Sequence, residues 1–232
     1  MFNIFDIGSY IDTVSTYASD IDFLILLITI LVGVPFIIAE ILLIGFILKF
    51  RKKEGVQAQY ITGEEKAQKR WITIPHLIVL LFDIVIIVFA IQVWVDVKQD
   101  LPDADHIIRV DSQQWAWNFT HSGKDGELDS EDDIHTTNTL HVEVDKVYHF
   151  ILTSKDVIHN FSVPAFRLKQ DAIPGREIIG WFKAQKTGEY DIQCAEICGI
   201  GHGLMNARII IEDAPTHAAW QSRRAGELAI VH

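Results

Sequence analysis

The chain has 232 residues, of which 49% are hydrophobic and 22% charged, and its formal net charge at pH 7 is −11. This composition argues against a disordered chain, and the negative charge argues against a nucleic acid as partner. From residue 96 onward there are 22 acidic and 13 basic residues, a net charge of −9, so this half would attract a basic partner.

Two long apolar runs occupy residues 23–48 and 72–95. A helix needs roughly 20 apolar residues to cross the hydrocarbon core of a bilayer. Two such runs around one basic loop are rare in soluble domains. We therefore predict a transmembrane helical hairpin within an N-terminal segment 1–98. The first run is longer than the apolar core of a cleaved signal peptide, so we expect it to be a retained membrane anchor.

The charges around these runs predict their orientation. The loop between them is rich in Lys and Arg, whereas the first 20 residues contain three Asp and neither basic residue. Positive loops stay on the cytoplasmic side, so both termini are expected outside. Glu40 and Asp83 lie within the runs, where charge is costly. We expect polar contacts with a neighbouring helix, with proton conduction as the alternative.

Residues 99–232 are predicted to form an all-β outer domain. Apolar and polar residues alternate from about His106 onward, and turn signals separate the segments. Such short strands are typical of a sandwich or barrel. Residues 123–133 predict an exposed acidic loop, and residues 216–224 a short helix capped by Asp213. The predicted strands are 139–145, 147–153, 157–163, 177–183, 189–194 and 206–212.

A group of soft metal ligands lies between the last two predicted strands. Cys194, Cys198, His202 and Met205 supply two thiolates, an imidazole and a thioether within twelve residues. These ligand types favour copper. Two thiolates can bridge two coppers, with one His bound to each. A second His is then required, and His159, in an apolar strand, is the best candidate.

At this point the sequence resembles a known family, the second subunit of cytochrome c oxidase. Its pattern C-x-E-x-C-x-x-x-H-x-x-M is matched at every fixed position by residues 194–205. The resemblance covers nearly the whole chain and implies a cupredoxin-like sandwich that holds the binuclear copper A centre. It also implies a haem-containing catalytic subunit as partner. The implied copper ligands are Cys194 and Cys198 as bridges, His159, His202, Met205 and the backbone carbonyl of Glu196.

The resemblance implies further roles. The Glu196 side chain would help to hold a magnesium ion shared with the catalytic subunit, and residues 171–176 would face that subunit. The motif that begins at Gln114 would present Trp115 as the residue that receives electrons from cytochrome c, which docks on acidic residues such as Asp156. The family has an aromatic residue at the position of Ala116, and it often has a Glu, for proton uptake, at the position of Gln68.

The implied function is electron acceptance from a basic, soluble cytochrome c and transfer to haem in the catalytic subunit. Oxygen is reduced to water there, coupled to proton translocation. The expected location is a bacterial inner membrane or the mitochondrial inner membrane. A copper A subunit of a nitric oxide reductase would carry the same ligands, and a quinol oxidase subunit would lack the cysteines. A membrane copper chaperone or thiol oxidoreductase is disfavoured because Gly199, not Pro, follows the second cysteine.

Overall fold

The computed structural model describes residues 12–58 and 60–231. Within that part of the chain, three helices and ten strands form two compact units. One unit is Asp20–Val95, and the other combines residues 12–19 with residues 96–231.

The first unit is a helical hairpin of α1 (Ala18–Phe50) and α2 (Lys66–Lys98). Each helix has 33 residues and is about 50 Å long at 1.5 Å per residue. The hydrocarbon core of a bilayer is about 30 Å thick. Both helices are long and apolar enough to span a membrane, and they contain the two predicted spans. They extend past the apolar runs at both ends because a continuous helix keeps satisfying the backbone hydrogen bonds.

The two acidic residues within the predicted spans are exposed on the surface of the hairpin. Glu40 lies in α1, and Asp83 lines a groove of about 550 Å³ on α2 together with His76 and Pro75. Carboxylates in a membrane normally face another protein segment or water. Their contact with a neighbouring helix stays a prediction.

The second unit is a sandwich of two five-stranded sheets, as the alternating pattern predicts. The first sheet has the order β3-β2-β1-β5-β8 and the second β4-β10-β9-β6-β7. Only the β1–β5 and β4–β10 pairs are parallel among the strand pairs of the described residues. The strands are β1 (His106–Gln113), β2 (Ala116–His121), β3 (Ile134–Thr137), β4 (Thr139–Glu143), β5 (Val147–Ser154), β6 (His159–Val163), β7 (Leu168–Ala172), β8 (Ile178–Lys183), β9 (Gly188–Cys194) and β10 (Asn206–Glu212).

Large aromatic side chains fill the space between the sheets. Phe161 of β6 lies at the centre, with ring centroids 5.4 Å from Trp117 and 5.7 Å from Phe150. All three are fully buried. Each buried aromatic side chain contributes on the order of 2 kcal/mol from apolar burial. This core fixes the sheet that carries His159 and Cys194.

The segment before α1 packs on the sandwich, which the sequence analysis did not anticipate. Val14 is fully buried, and its backbone N–H donates to the Ala165 carbonyl at 2.9 Å. The Ser15 hydroxyl donates to the Phe166 carbonyl at 2.9 Å. Residues 12–19 therefore belong structurally with the sandwich and not with the hairpin.

Other elements also differ from the prediction. The last helix, α3 (Ala214–Val231), is longer than the predicted 216–224, although Asp213 caps it as expected by accepting from the Thr216 N–H. Trp220 fixes α3 by stacking on His141, with ring centroids 4.3 Å apart. Strands β1, β2, β3 and β7 were not among the six predicted ranges, because their sequences are short or mixed in polarity.

The acidic loop after β2 is mostly exposed, as predicted, but one of its acidic residues is buried and another forms an ion pair. Asp133 is buried, and one of its carboxylate oxygens accepts from the Asp129 N–H. Asp129 pairs with Arg109 through two hydrogen bonds. The loop follows the end of β2 that is remote from Trp115, at a distance of roughly 17 Å along the strand. The loop is therefore close to Trp115 in the sequence but not in space.

Candidate metal centre

Two neighbouring strands bring the predicted ligands together. Strands β6 and β9 pair antiparallel with Phe161 opposite Cys194. His159 lies two residues before Phe161 and therefore on the same face of β6. The imidazole of His159 is fully buried, and its Nδ1 lies 3.9 Å from the Sγ of Cys194.

The loop from β9 to β10 supplies the remaining side chains. The Sγ of Cys198 lies 3.7 Å from the Sγ of Cys194, 3.6 Å from Nδ1 of His202 and 3.7 Å from Sδ of Met205. A hydrogen bond of 3.2 Å from the Cys194 N–H to the Met205 carbonyl closes the loop. Cys194, Cys198 and Met205 are buried, whereas His202 is partly exposed.

Glu196 lies inside this loop but contributes its backbone. The Cys194 thiol donates to the Glu196 carbonyl at 3.2 Å, so this oxygen faces the same group of side chains. The Glu196 side chain is exposed and points out of the sandwich. The structure thus brings all six predicted ligand residues together.

The donor set fits a copper centre. Ligand atoms of His159, Cys194 and Cys198 lie within 4.8 Å of one another and could hold a metal ion. Two thiols at 3.7 Å are not bonded as a disulfide, and both cysteines are free. Thiolate, imidazole and thioether donors in a buried site select copper over harder cations.

Protonation of the site follows from its burial. Burial, together with the Cys194 thiol as neighbour, raises the pKa of the Cys198 thiol to about 11. Metal ions bind the thiolate, so binding at neutral pH releases a proton from this residue. A soft cation that bonds strongly to sulfur can displace this proton.

Asp156 orients the buried histidine. One of its carboxylate oxygens lies 2.8 Å from Nε2 of His159, which places the proton on Nε2 and leaves Nδ1 as the ligand atom facing Cys194. The carboxylate is partly desolvated, which raises its pKa. The hydrogen bonds from His159 and from the Gln114 and Val157 N–H groups outweigh this effect and hold the pKa below its usual value. Sequence reasoning assigned Asp156 only to docking, and the three-residue spacing from His159 was the available signal.

Trp115 lies at the surface directly over this site. Its side chain is 38% exposed, and its indole Nε1 donates to the Cys198 carbonyl at 3.3 Å. A Cβ at Gly201 would come within 2.4 Å of the indole ring, so only glycine allows this contact. The indole therefore connects solvent with the loop that carries Cys198.

Exposed apolar side chains lie on the ligand loop and directly before His159. Ile197, Ile200 and Leu204 are at least 81% exposed, and Ile158 is 47% exposed. Exposed apolar side chains grouped in this way mark a protein interaction site. Sequence reasoning missed this surface because single apolar residues in a loop give no periodic signal.

The sequence profile described as "Cytochrome C oxidase subunit II, periplasmic domain" matches residues 106–214. A relative named alternative cytochrome c oxidase subunit 2, from Bradyrhizobium diazoefficiens, is 31% identical over 196 residues, which cover 75% of this chain and 69% of that protein. Cytochrome c oxidase subunit 2 of Cereibacter sphaeroides is 27% identical over 242 residues and covers 91% of this chain and 78% of that protein.

A solved structure agrees with the sandwich. The crystal structure of the periplasmic domain of subunit II of cytochrome oxidase from Bradyrhizobium japonicum superposes with a TM-score of 0.50 at 31% identity. The match covers 56% of this chain and 99% of that domain. Two apolar helices followed by a cupredoxin-like sandwich, the predicted architecture, are thereby confirmed.

Proposed function

Because this chain belongs to the family of cytochrome c oxidase subunit 2, we propose that it is the electron-accepting subunit of a membrane-bound cytochrome c oxidase. It would take single electrons from a soluble cytochrome c and pass them to haem in a separate catalytic subunit. Reduction of oxygen to water and proton translocation would take place in that subunit.

The residues that would hold the metal are those at the ends of β6 and β9. Cys194 and Cys198 would bridge two coppers, and His159 and His202 would each bind one of them, with weak contributions from Met205 and the Glu196 carbonyl. When bound, the binuclear copper would accept and release one electron, which the two metal ions would share. The buried aromatic core supports this role, because it keeps the ligand strands in fixed positions and excludes water from the thiolates.

Trp115 would receive the electron from the docked donor. Its exposed edge and its hydrogen bond to the Cys198 carbonyl support this assignment. The apolar surface formed by Ile158, Ile197, Ile200 and Leu204 would meet the donor or the catalytic subunit. A basic donor is supported by the net charge of −9 in the outer half, which speeds encounter through the overall field.

The Glu196 side chain would help to hold a magnesium ion shared with the catalytic subunit, and its exposure leaves it available for such a contact. The hairpin would anchor the chain with both termini outside, in a bacterial inner membrane or the mitochondrial inner membrane. The basic loop between α1 and α2 supports this orientation.

The observation that carries the proposal is the convergence of His159, Cys194 and Cys198 on one buried point. The test is oxygen uptake by the purified complex with reduced cytochrome c, and then with a small reductant that reaches haem directly. Cys194→Ser should abolish the first activity and retain the second. Wild-type activity with cytochrome c in this variant would contradict the proposal.

A further inference from the structure

The turn between β1 and β2 packs against the loop that carries Cys198. This turn consists of Gln114 and Trp115, since β1 ends at Gln113 and β2 begins at Ala116. Turns at hairpin tips are mobile unless further contacts hold them. The position of the Trp115 ring therefore depends on what fixes the turn.

Two hydrogen bonds fix Gln114 to different parts of the candidate metal centre. Its backbone N–H donates to Oδ2 of Asp156 at 2.7 Å, and its side-chain Nε2 donates to the Cys198 carbonyl at 2.8 Å. The other oxygen of Asp156 lies 2.8 Å from Nε2 of His159. Gln114 thus connects the strand of one predicted ligand with the loop of another.

Close contacts hold the turn against the loop. The Trp115 indole donates to the same Cys198 carbonyl that accepts from Gln114. A Cβ at Gly199, whose φ is +118°, would come within 2.8 Å of the Gln114 amide nitrogen. The amide and the indole therefore bind side by side to one carbonyl oxygen.

We propose that Gln114 is a positioning residue that holds the Trp115 indole on the Cys198 carbonyl and so sets the distance over which an electron passes from the ring to the metal centre. The role of Trp115 in this proposal rests on the proposed function. Gln114 contributes none of the predicted ligand atoms, so it acts through the ring. Electron transfer slows steeply with distance, and a loosened ring lengthens the path.

The kinetic test uses the intact oxidase complex. Gln114→Ala removes the side-chain amide and shortens the side chain. Gln114→Met also removes the amide but keeps the length of the side chain. Gln113→Ala is the matched control, because this glutamine is adjacent on β1 and lacks the hydrogen bond to Cys198. Both Gln114 variants should slow electron transfer from bound cytochrome c by about 10-fold, as expected for a reacting group misplaced by a fraction of an ångström to one ångström. The KM for cytochrome c, the copper content and the electron paramagnetic resonance spectrum should stay unchanged.

A second measurement does not depend on electron transfer. In the metal-free, full-length chain with ¹⁵N-labelled tryptophan in detergent micelles, nuclear magnetic resonance follows solvent exchange of the Trp115 indole N–H. Trp115→Phe assigns the resonance. Exchange should be faster in Gln114→Met and Gln114→Ala, and unchanged in Gln113→Ala.

The outcomes separate the two proposals. If solvent exchange of the Trp115 indole N–H is unchanged in both Gln114 variants, the positioning role is overturned. Faster exchange together with an unchanged rate of electron transfer also overturns it. Copper loss or an altered resonance spectrum also overturns it, because Gln114 would then hold the centre itself. If Trp115→Phe transfers electrons at the wild-type rate, the proposed role of Trp115 fails, and the exchange measurement alone decides whether Gln114 positions the ring.

Discussion

The Nδ1 of His159 lies 3.9 Å from the Sγ of Cys194, although 35 positions separate the two residues in the chain. Antiparallel pairing of β6 with β9 causes this proximity, because Phe161, two residues after His159, is opposite Cys194. The sandwich thus forms a single metal-binding group from two distant segments.

Replacement of His159 by Ala should damage the metal centre. The buried imidazole contributes the only predicted ligand from β6. Removal of a residue that merely hydrogen-bonds to a metal ligand typically lowers metal affinity 10- to 100-fold, so loss of the ligand itself should lower copper affinity by at least as much. The measurements are copper content and reduction potential of the full-length chain. His149→Ala is the matched control, since this histidine lies in the other sheet and contacts the Pro102 carbonyl at 2.8 Å. Equal copper content and potential in the two variants would remove His159 from the ligand set.

Asp156→Ala should alter the centre itself and not merely donor docking. The carboxylate holds Nε2 of His159 and the backbone N–H of Gln114, so its removal frees both the ligand ring and the turn before Trp115. We expect a shifted reduction potential and a 10- to 100-fold loss of copper affinity. An unchanged potential with a raised KM for cytochrome c would restore the docking role that the sequence alone suggests.

The acidic loop after β2 should raise the association rate of the electron donor appreciably only at low salt. Asp125, Glu127 and Glu131 are exposed there but lie roughly 17 Å or more from Trp115 along the hairpin. Screening acts over about 8 Å at physiological ionic strength and about 30 Å at 0.01 M. Replacing the three by their amides should therefore change the association rate less than about 2-fold at physiological salt and several-fold at low salt. Stopped-flow oxidation of cytochrome c over a range of ionic strength measures this, and a large effect at physiological salt would place the donor beside the loop.

The packing of α3 on the sandwich should weaken in acid. Trp220 contacts the rings of His121 and His141, and burial lowers the pKa of both histidines, to about 3 for His121. A folded-state pKa below the ordinary value of about 6.5 means that, between the two pKa values, the histidine is protonated in the unfolded chain but neutral in the folded chain. The free energy of unfolding is therefore highest above about pH 6.5 and decreases toward pH 3. For His121 alone the decrease is up to about 1.4 kcal/mol per pH unit.

Thermal unfolding of the full-length chain near pH 7.5 and pH 5 measures this loss. His121→Phe keeps an aromatic ring against Trp220 and removes the titrating group, so its melting temperature should change less between the two pH values. Equal sensitivity to pH in the variant and the wild type would assign the acid effect to other groups.

The grouping of the candidate ligand residues could be predicted from the sequence because most of them lie in one short segment. Cys194, Cys198, His202 and Met205 lie within twelve residues, and only His159 had to be inferred from an apolar strand. The hairpin could be predicted because apolar length is itself the signal. The contacts of Gln114 and the burial of Asp133 could not, because they depend on the register of β1 and β2 and on how the following loop folds back.

The assignment as copper A requires that the two thiolates hold two coppers and not one. Copper content together with electron paramagnetic resonance of the oxidised full-length chain, in the wild type and in Cys198→Ser, tests this requirement. We expect two coppers per wild-type chain and the hyperfine pattern of one electron shared equally by two copper nuclei, and at most a single-copper spectrum in the variant. One copper per wild-type chain, or a shared-electron pattern that persists in Cys198→Ser, would contradict it.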